Sequence, residues 1–272
     1  MTSEILLNAP ATSHTVVVAT EREVAYLSPD HIMPWGTRRD NNTNLRFNHK
    51  LYRLYPNPVD GILKVLDMGC SGGGFVKTLL DDGCLAVGLE GSDYSKKHRR
   101  AEWATIPDFL FTCDITADFE VSVESHTAGQ RLRFEVVTAW ELIEHIAESD
   151  LSKVAANVAK HLMPEGLWIM SVSTREEIIN GVRLHQTVRP RPWWIETFQS
   201  LGFKHLESYV HYFNTQFVRG PKYGAPGSFH LVLSMDPAKA SPLPKQTVRE
   251  RLYDSWLGSR LQKSIRHWLI GE

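Results

Sequence analysis

Glu141, Glu144 and His145 are the first place where this sequence could do chemistry. Positions i, i+3 and i+4 share one face of a helix, so a helix here would project all three together. Two carboxylates and an imidazole are an acceptable ligand set for Mg²⁺ or Mn²⁺. A further ligand could come from His185, in the string Arg183-Leu184-His185-Gln186-Thr187. Without a metal, His145 and His185 are the candidates for a general base, because imidazole titrates near neutral pH.

A second group of residues reads as a nucleotide-like cofactor site. Residues 64–75 run as a short apolar strand into Asp67, Gly69, Cys70, Ser71, Gly72, Gly73 and Gly74, and Glu90 closes the next apolar run. Such a pattern describes a buried strand, a turn too tight for side chains, and a helix start facing a ligand. The acidic residue some twenty positions on stands where a ribose would present its hydroxyls. A dinucleotide fold wants G-x-G-x-x-G, but its second glycine position holds Ser71. A P-loop wants a Lys-Ser or Lys-Thr that does not follow this turn. Asp67 also suits a cationic amino group better than a phosphate.

The string resembles motif I of the class I S-adenosylmethionine (SAM)-dependent methyltransferases, L-D-x-G-C-x-x-G. The resemblance implies that Asp67, Gly69 and Gly72 line the methionine end of SAM and that Glu90 takes both ribose hydroxyls. It also implies that Asp114, after Cys113, meets the adenine, and that Trp140 lies near the sulfonium. A turn or N-cap role is the alternative for Asp114. The E-x-x-E-H string is similar to those of ubiquinone-pathway O-methyltransferases and of small-RNA ribose 2′-O-methyltransferases. In the RNA branch it holds a divalent ion, which carried over would sit on Glu141, Glu144, His145 and His185. Many members carry the string with no metal need, and there its Glu and His would orient the helix or contact substrate; either way Glu144, His145 and His185 are the catalytic candidates.

Positioning these groups requires alternating elements. Strand-like segments at 62–66, 85–89, 109–112, 134–139 and 167–172 alternate with helical ones at 74–82, about 91–104 and 151–162. That alternation predicts a Rossmann-like doubly wound α/β fold, mostly parallel, with ligands beyond the strand carboxyl ends. After a helix at 193–201, strands at 203–210 and 229–235, with no helix between them, suggest a terminal antiparallel hairpin on a seven-stranded sheet. The methyltransferase domain would span 60–236. Residues 1–59 would be an N-terminal cap over the active site or a flap on the sheet edge. Residues 237–272 would be a linker and a C-terminal amphipathic helix, whose apolar stripe packs on its own domain or forms a homodimer contact.

The composition bounds the rest. The chain has 272 residues, 42% of them hydrophobic, which suits one domain with appendages. A formal charge of −1 gives no reason to expect nucleic acid or a membrane surface as a partner. Three cysteines without metal-ligand spacing fit reduced thiols. With no apolar run of spanning length and no signal pattern, the expected location is the cytoplasm. No Asn-Pro-Pro-Tyr or Asp-Pro-Pro-Tyr string follows the fourth strand, which favours an oxygen acceptor over an amino one. Substrate contacts would come from Trp35 in the cap and from Arg175, Arg183, Arg189 and Trp193 after the fifth strand, with a small-molecule or sugar hydroxyl as acceptor. RNA ribose is the second reading, weakened by the neutral charge. A catalytically silent SAM-binding scaffold is a third.

Overall fold

The computed structural model describes residues 15–124 and 130–270. Residues 1–14 of the expected cap and 271–272 of the expected C-terminal segment lie outside them. The chain begins with β1 (Val16–Thr20), α1 (Pro29–Ile32) and α2 (Leu45–Leu54). It continues through β2 (Lys64–Met68), α3 (Gly74–Asp81), β3 (Leu85–Glu90), α4 (Tyr94–Lys97) and β4 (Leu110–Thr112). Strands β5 (Phe119–Val123), β6 (Gln130–Arg131) and β7 (Phe134–Trp140) precede α5 (Leu151–His161) and β8 (Leu162–Ser173). The last elements are β9 (Ile178–Ile179), β10 (Val182–Arg183), α6 (Arg191–Ser200), β11 (Lys204–His205), α7 (Glu207–Phe213), β12 (Ser228–Ser234), α8 (Val248–Trp256) and α9 (Arg260–Ile270).

Seven strands form the central sheet in the order β11-β12-β8-β7-β2-β3-β4. Pairs β8·β7, β7·β2, β2·β3 and β3·β4 are parallel, whereas β12 runs antiparallel to both β8 and β11. This is the Rossmann-like, doubly wound sheet with an antiparallel end that the alternation implied. The strand order reverses between β2 and β7, so a crevice opens at their carboxyl ends, beside Asp67 and Trp140.

The pleat decides which helix each strand residue meets. Leu66, Val87, Val137 and Trp168 pack on one face with Val154, Val158, Trp194 and Phe198 of α5 and α6. Their neighbours Val65, Ala86, Val136 and Leu167 face the other way, toward Leu51, Phe75, Val76, Leu79 and Phe213 of α2, α3 and α7. Helices on both faces explain why these strands read as continuous apolar runs.

Four local expectations need correction. Residues 203–210 are not one strand: only β11 pairs with β12, and α7 follows, so a helix does lie between the last two strands. Buried Tyr209, Tyr212 and Phe213 recur at helical spacing, and that burial outweighs the strand propensity of the tyrosines and valine. Residues 141–146 form a 3₁₀ turn at Ile143–His145 rather than a helix. The polar stretch after β3 is α4 followed by a 3₁₀ turn at Ala101–Ala104. The C-terminal segment is two helices, α8 and α9, parted at Gly258, whose φ of 74° only glycine adopts without strain. In addition, β1 pairs antiparallel with β5 in a small separate sheet, β1-β5-β6. Among the described residues, no helix is long and apolar enough to cross a membrane.

Candidate active site

The glycine turn bends sharply because Gly69 and Gly73 take φ values of 74° and 85°. A side chain at Gly69 would press on Leu142, its Cβ lying 3.0 Å from Leu142 Cδ1. The turn hands the chain from β2 to α3, whose first amide is capped from outside: Gly74 N donates to Asn41 Oδ1 at 2.7 Å. Arg100 Nη2 donates to the Asp40 carbonyl and, at 3.0 Å, to Ser71 Oγ. The segment around Thr37–Asn41 is thereby pinned across the loop.

Beside this turn lies a cavity of about 630 Å³. Asp67, Gly69, Ser71, Glu90, Asp114 and Trp140 line one side. Tyr26, Ser28, Asp30, Thr37 and Asp40 of the N-terminal segment line the other. Of the residues expected at a cofactor, Gly72 is missing from the lining; it packs against Asn41, and a Cβ there would lie 2.4 Å from Asn41 Oδ1.

Glu90 ends β3 with its carboxylate held in place. Oε2 accepts from Ser71 N at 2.8 Å, and Oε1 accepts from Ser92 N at 3.2 Å and Thr37 Oγ1 at 3.3 Å. A carboxylate has about four lone-pair sites, so acceptor capacity remains toward the cavity. Burial raises the pKa of Glu90 against these hydrogen bonds. Asp67 accepts from Thr138 Oγ1 at 2.6 Å, and burial pushes it up to about 7. Asp114 is engaged as a turn carboxylate, accepting from Thr116 N at 2.9 Å and Thr116 Oγ1 at 2.7 Å, with Arg22 at 3.3 Å from its other oxygen.

The second expected cluster follows β7; of its four residues Glu141 and His145 line the cavity, and Glu144 and His185 do not. Ligand atoms of Glu144, His145 and His185 all lie within 4.8 Å of one another. Glu144 is fully buried; Oε1 accepts from Ser173 N at 2.8 Å, and Oε2 has no partner. Amides Gln186 N and Thr187 N donate to the Glu144 carbonyl at 2.8 and 2.9 Å, which brings the His185 segment against the turn. His185 and His145 meet edge to face, with ring centroids 4.6 Å apart. Glu141 is not in this group. With no helix to align it, and with φ of 50°, its carboxylate turns to accept from Ser228 Oγ at 2.7 Å.

One contact here was not legible in the sequence. Asp30, on α1, places Oδ2 2.8 Å from His145 Nδ1. Ser28-Pro29 at the head of α1 is a readable helix start, with Ser28 Oγ accepting from Asp30 N at 3.3 Å, but its pairing with His145 is a tertiary fact. Burial works to lower the His145 pKa, yet Asp30 and Glu144 outweigh it and raise it to about 9. Burial, then His145, lowers His185. Burial, then the Glu141 charge, raises Glu144 to about 8. The site thus separates two histidines into a cationic and a neutral one, the pattern of an acid/base site.

The expected substrate residues lie elsewhere. Arg183 pairs with Glu176 at 2.9 Å and Arg189 with Glu148 at 3.1 Å, both exposed. Trp193 packs on the core and under Arg189. Arg175 is exposed and lies against Gly227, and Trp35 stacks on Arg39 at 3.6 Å. None of these five lines the cavity. The arginines that do are Arg22 and Arg219, the latter paired with Asp40 at 2.8 Å.

Comparison with known proteins shows the family. Residues 32–216 match the family model described as a methyltransferase domain. The chain is similar to the ubiquinone biosynthesis O-methyltransferase of Thiobacillus denitrificans, 32% identical over 107 residues, covering 39% of this chain and 42% of that one. The Proteus mirabilis enzyme of the same name is 30% identical over 137 residues, covering 45% and 53%. The matched stretch therefore spans about half the length of these curated relatives or less. Among solved structures, the 1,6-didemethyltoxoflavin N1-methyltransferase of Burkholderia thailandensis, with S-adenosylhomocysteine bound, aligns over 83% of this chain and 96% of its own, at 16% identity and a TM-score of 0.49.

Proposed function

This chain belongs to the methyltransferase-domain family, the class I SAM-dependent methyltransferases, and on that premise we propose that it methylates a hydroxyl of a small molecule or sugar. The observation that carries the reading is the half-buried Asp30–His145 pair, which opens into the same cavity as Glu90 and the glycine turn. In this reading residues 60–236 are the catalytic domain, and the segment before them supplies a working wall of the site.

The donor would lie along the carboxyl ends of β2, β3 and β7. Glu90 would accept from the ribose hydroxyls, Asp67 would face the amino group, and Trp140 would wall off the sulfonium. Asp114 would keep its turn role and border the adenine. Transfer is an in-line displacement: the acceptor oxygen bonds to the methyl carbon as the carbon–sulfur bond breaks. The electron pair stays on sulfur, leaving S-adenosylhomocysteine. The hydroxyl proton passes to neutral His145, and Asp30 compensates the imidazolium that forms. The raised pKa makes the neutral ring a strong acceptor and a minority form at pH 7.

Glu144, His145 and His185 also fit a divalent ion. Three N/O ligands converge, and the buried Glu144 Oε2, which no hydrogen bond engages, is an oxygen a cation could use. Such an ion would supply Lewis-acid polarisation of the acceptor hydroxyl. Phenolic and sugar hydroxyl panels, assayed for S-adenosylhomocysteine release before and after chelation, test both readings. Turnover on a hydroxyl acceptor that His145→Ala abolishes is expected; transfer confined to amines would overturn the oxygen assignment.

A further inference from the structure

Among the described residues, the cations that line the cavity are Arg22, Arg219 and His145, and each is already matched by a carboxylate. Arg22 faces Asp114 at 3.3 Å, Arg219 faces Asp40 at 2.8 Å, and His145 faces Asp30 at 2.8 Å. No lining cation is left over to neutralise a phosphate or carboxylate on an acceptor, and an unmatched anion taken out of water is costly. This charge balance favours an acceptor that is uncharged at the end that enters.

Two lining residues carry an atom with no partner. Glu141 is held from behind: its amide donates to the Ser171 carbonyl at 3.1 Å and to Ser171 Oγ at 3.0 Å, and Oε2 accepts from Ser228 Oγ at 2.7 Å. Its Oε1 is buried and accepts no hydrogen bond. Arg219 is held at Nη1 by Asp40 and at its carbonyl by His230 Nε2, 2.9 Å away, while Nε is buried and donates no hydrogen bond. Burial raises the Glu141 pKa, and the Ser228 and Ser171 hydroxyls and the Arg219 guanidinium act against it, so the two side chains lie within reach of each other's charge. A buried polar atom left unpaired is costly, and both ask for a partner. An acceptor oxygen and an N–H donor in one wall match a group that both donates and accepts, a hydroxyl. A carboxylate has no proton for Glu141, and an ammonium has no lone pair for Arg219. Trp140, the aromatic neighbour of Glu141, is only 9% exposed and meets Phe47 and Phe75 edge to face, with ring centroids 5.2 and 6.0 Å apart. It offers little open face on which a phenolic ring could stack. Polar Asp40, Asn42 and Gln186 line the same cavity.

We propose that the acceptor is a neutral sugar, and that Glu141 and Arg219 hold a second hydroxyl of it near the one that is methylated, Glu141 Oε1 accepting and Arg219 Nε donating. This rests on the hydroxyl-methylation reading above and makes the two residues determinants of specificity.

Methyl glycosides of glucose, galactose, mannose and rhamnose, titrated into the S-adenosylhomocysteine-loaded protein and followed by saturation-transfer-difference NMR, test it. Saturable binding of at least one is expected, tighter than that of methyl glucuronide or catechol. Glu141→Gln and Arg219→Lys keep side-chain size and should each weaken it about tenfold, the worth of one hydrogen bond to a charged group, with S-adenosylhomocysteine affinity and thermal melting unchanged. Removing the hydroxyls of the best-bound sugar one at a time should cost the wild type about tenfold at one position and cost Glu141→Gln almost nothing there, which a merely structural role would not produce. Binding of none of the neutral sugars, a preference for the glucuronide or the catechol, or deoxy losses equal in variant and wild type overturns the inference. Donor binding without sugar binding overturns this inference alone. Transfer confined to amines overturns the oxygen assignment instead, and the sugar titrations still report whether Glu141 and Arg219 read a hydroxyl.

Discussion

At the scale of single residues, the site rests on two carboxylates whose jobs differ. Glu90 is fixed by Ser71, Ser92 and Thr37 and keeps acceptor capacity toward the cavity. Glu90→Ala should weaken S-adenosylhomocysteine binding about 10–100-fold, the worth of one or two charge-assisted hydrogen bonds, with an unchanged circular dichroism spectrum. Asp30 acts on His145 instead. Asp30→Asn should lower kcat about 10–100-fold while donor affinity holds, and His145→Ala should lower it about 10²–10⁴-fold. Equal donor affinity and equal kcat in either variant would remove that residue from its role. The glycine turn, Glu90, Glu144, His145 and His185 were readable because strand, turn and helix signals surround them. Asp30 was not, since nothing in a sequence brings together residues 115 positions apart. The departure of Glu141 was equally hidden, because a left-handed backbone at a strand end has no side-chain signature outside glycine and asparagine.

Elements show which sequence patterns are ambiguous. The five parallel strands were legible as apolar runs, because helices cover both faces of the sheet. α7 was not: Glu207–Phe213 mixes tyrosine and valine, which favour strands, with a helical spacing of buried Tyr209, Tyr212 and Phe213. The C-terminal stripe was legible as amphipathic, and of the two contacts left open for it, packing on its own domain is not what α8 shows, since Leu252 and Trp256 are exposed. Its inner contact is Asp254 with Lys50, both buried. Asp254→Ala would leave Lys50 buried and unpaired, so a loss of about 3–5 kcal/mol is expected. Calorimetric melting should show a Tm lower by about 10 °C. Replacing both, Lys50→Met with Asp254→Leu, should recover much of it; an unchanged Tm in the single variant would mean the pair contributes nothing.

Across the whole molecule, buried ionisable groups make stability depend on pH, and the proposed site draws on some of the same groups. His230 stacks on Phe217 at 3.7 Å and donates from Nε2 to the Arg219 carbonyl at 2.9 Å. Burial pushes its pKa down to about 4 from 6.5. A base with a depressed folded pKa contributes stability above 6.5 that fades as pH falls toward 4, because the unfolded state takes the proton first. Asp67 and Glu144 act with the opposite sign, so the comparison must be with His230→Gln, where the other groups cancel. Urea midpoints should show the wild type's advantage at pH 7.5 shrinking by pH 5; a constant difference would contradict it. The N-terminal segment, the β2–β7 crevice and the 3₁₀ turn after β7 meet at one cavity, and the central claim is that this cavity holds the methyl donor. Calorimetric titration with S-adenosylhomocysteine tests that most directly. The account predicts saturable one-site binding, weakened at least about tenfold in Glu90→Ala and unchanged in His145→Ala. No heat of binding from the wild type, or equal affinity in Glu90→Ala, would contradict it.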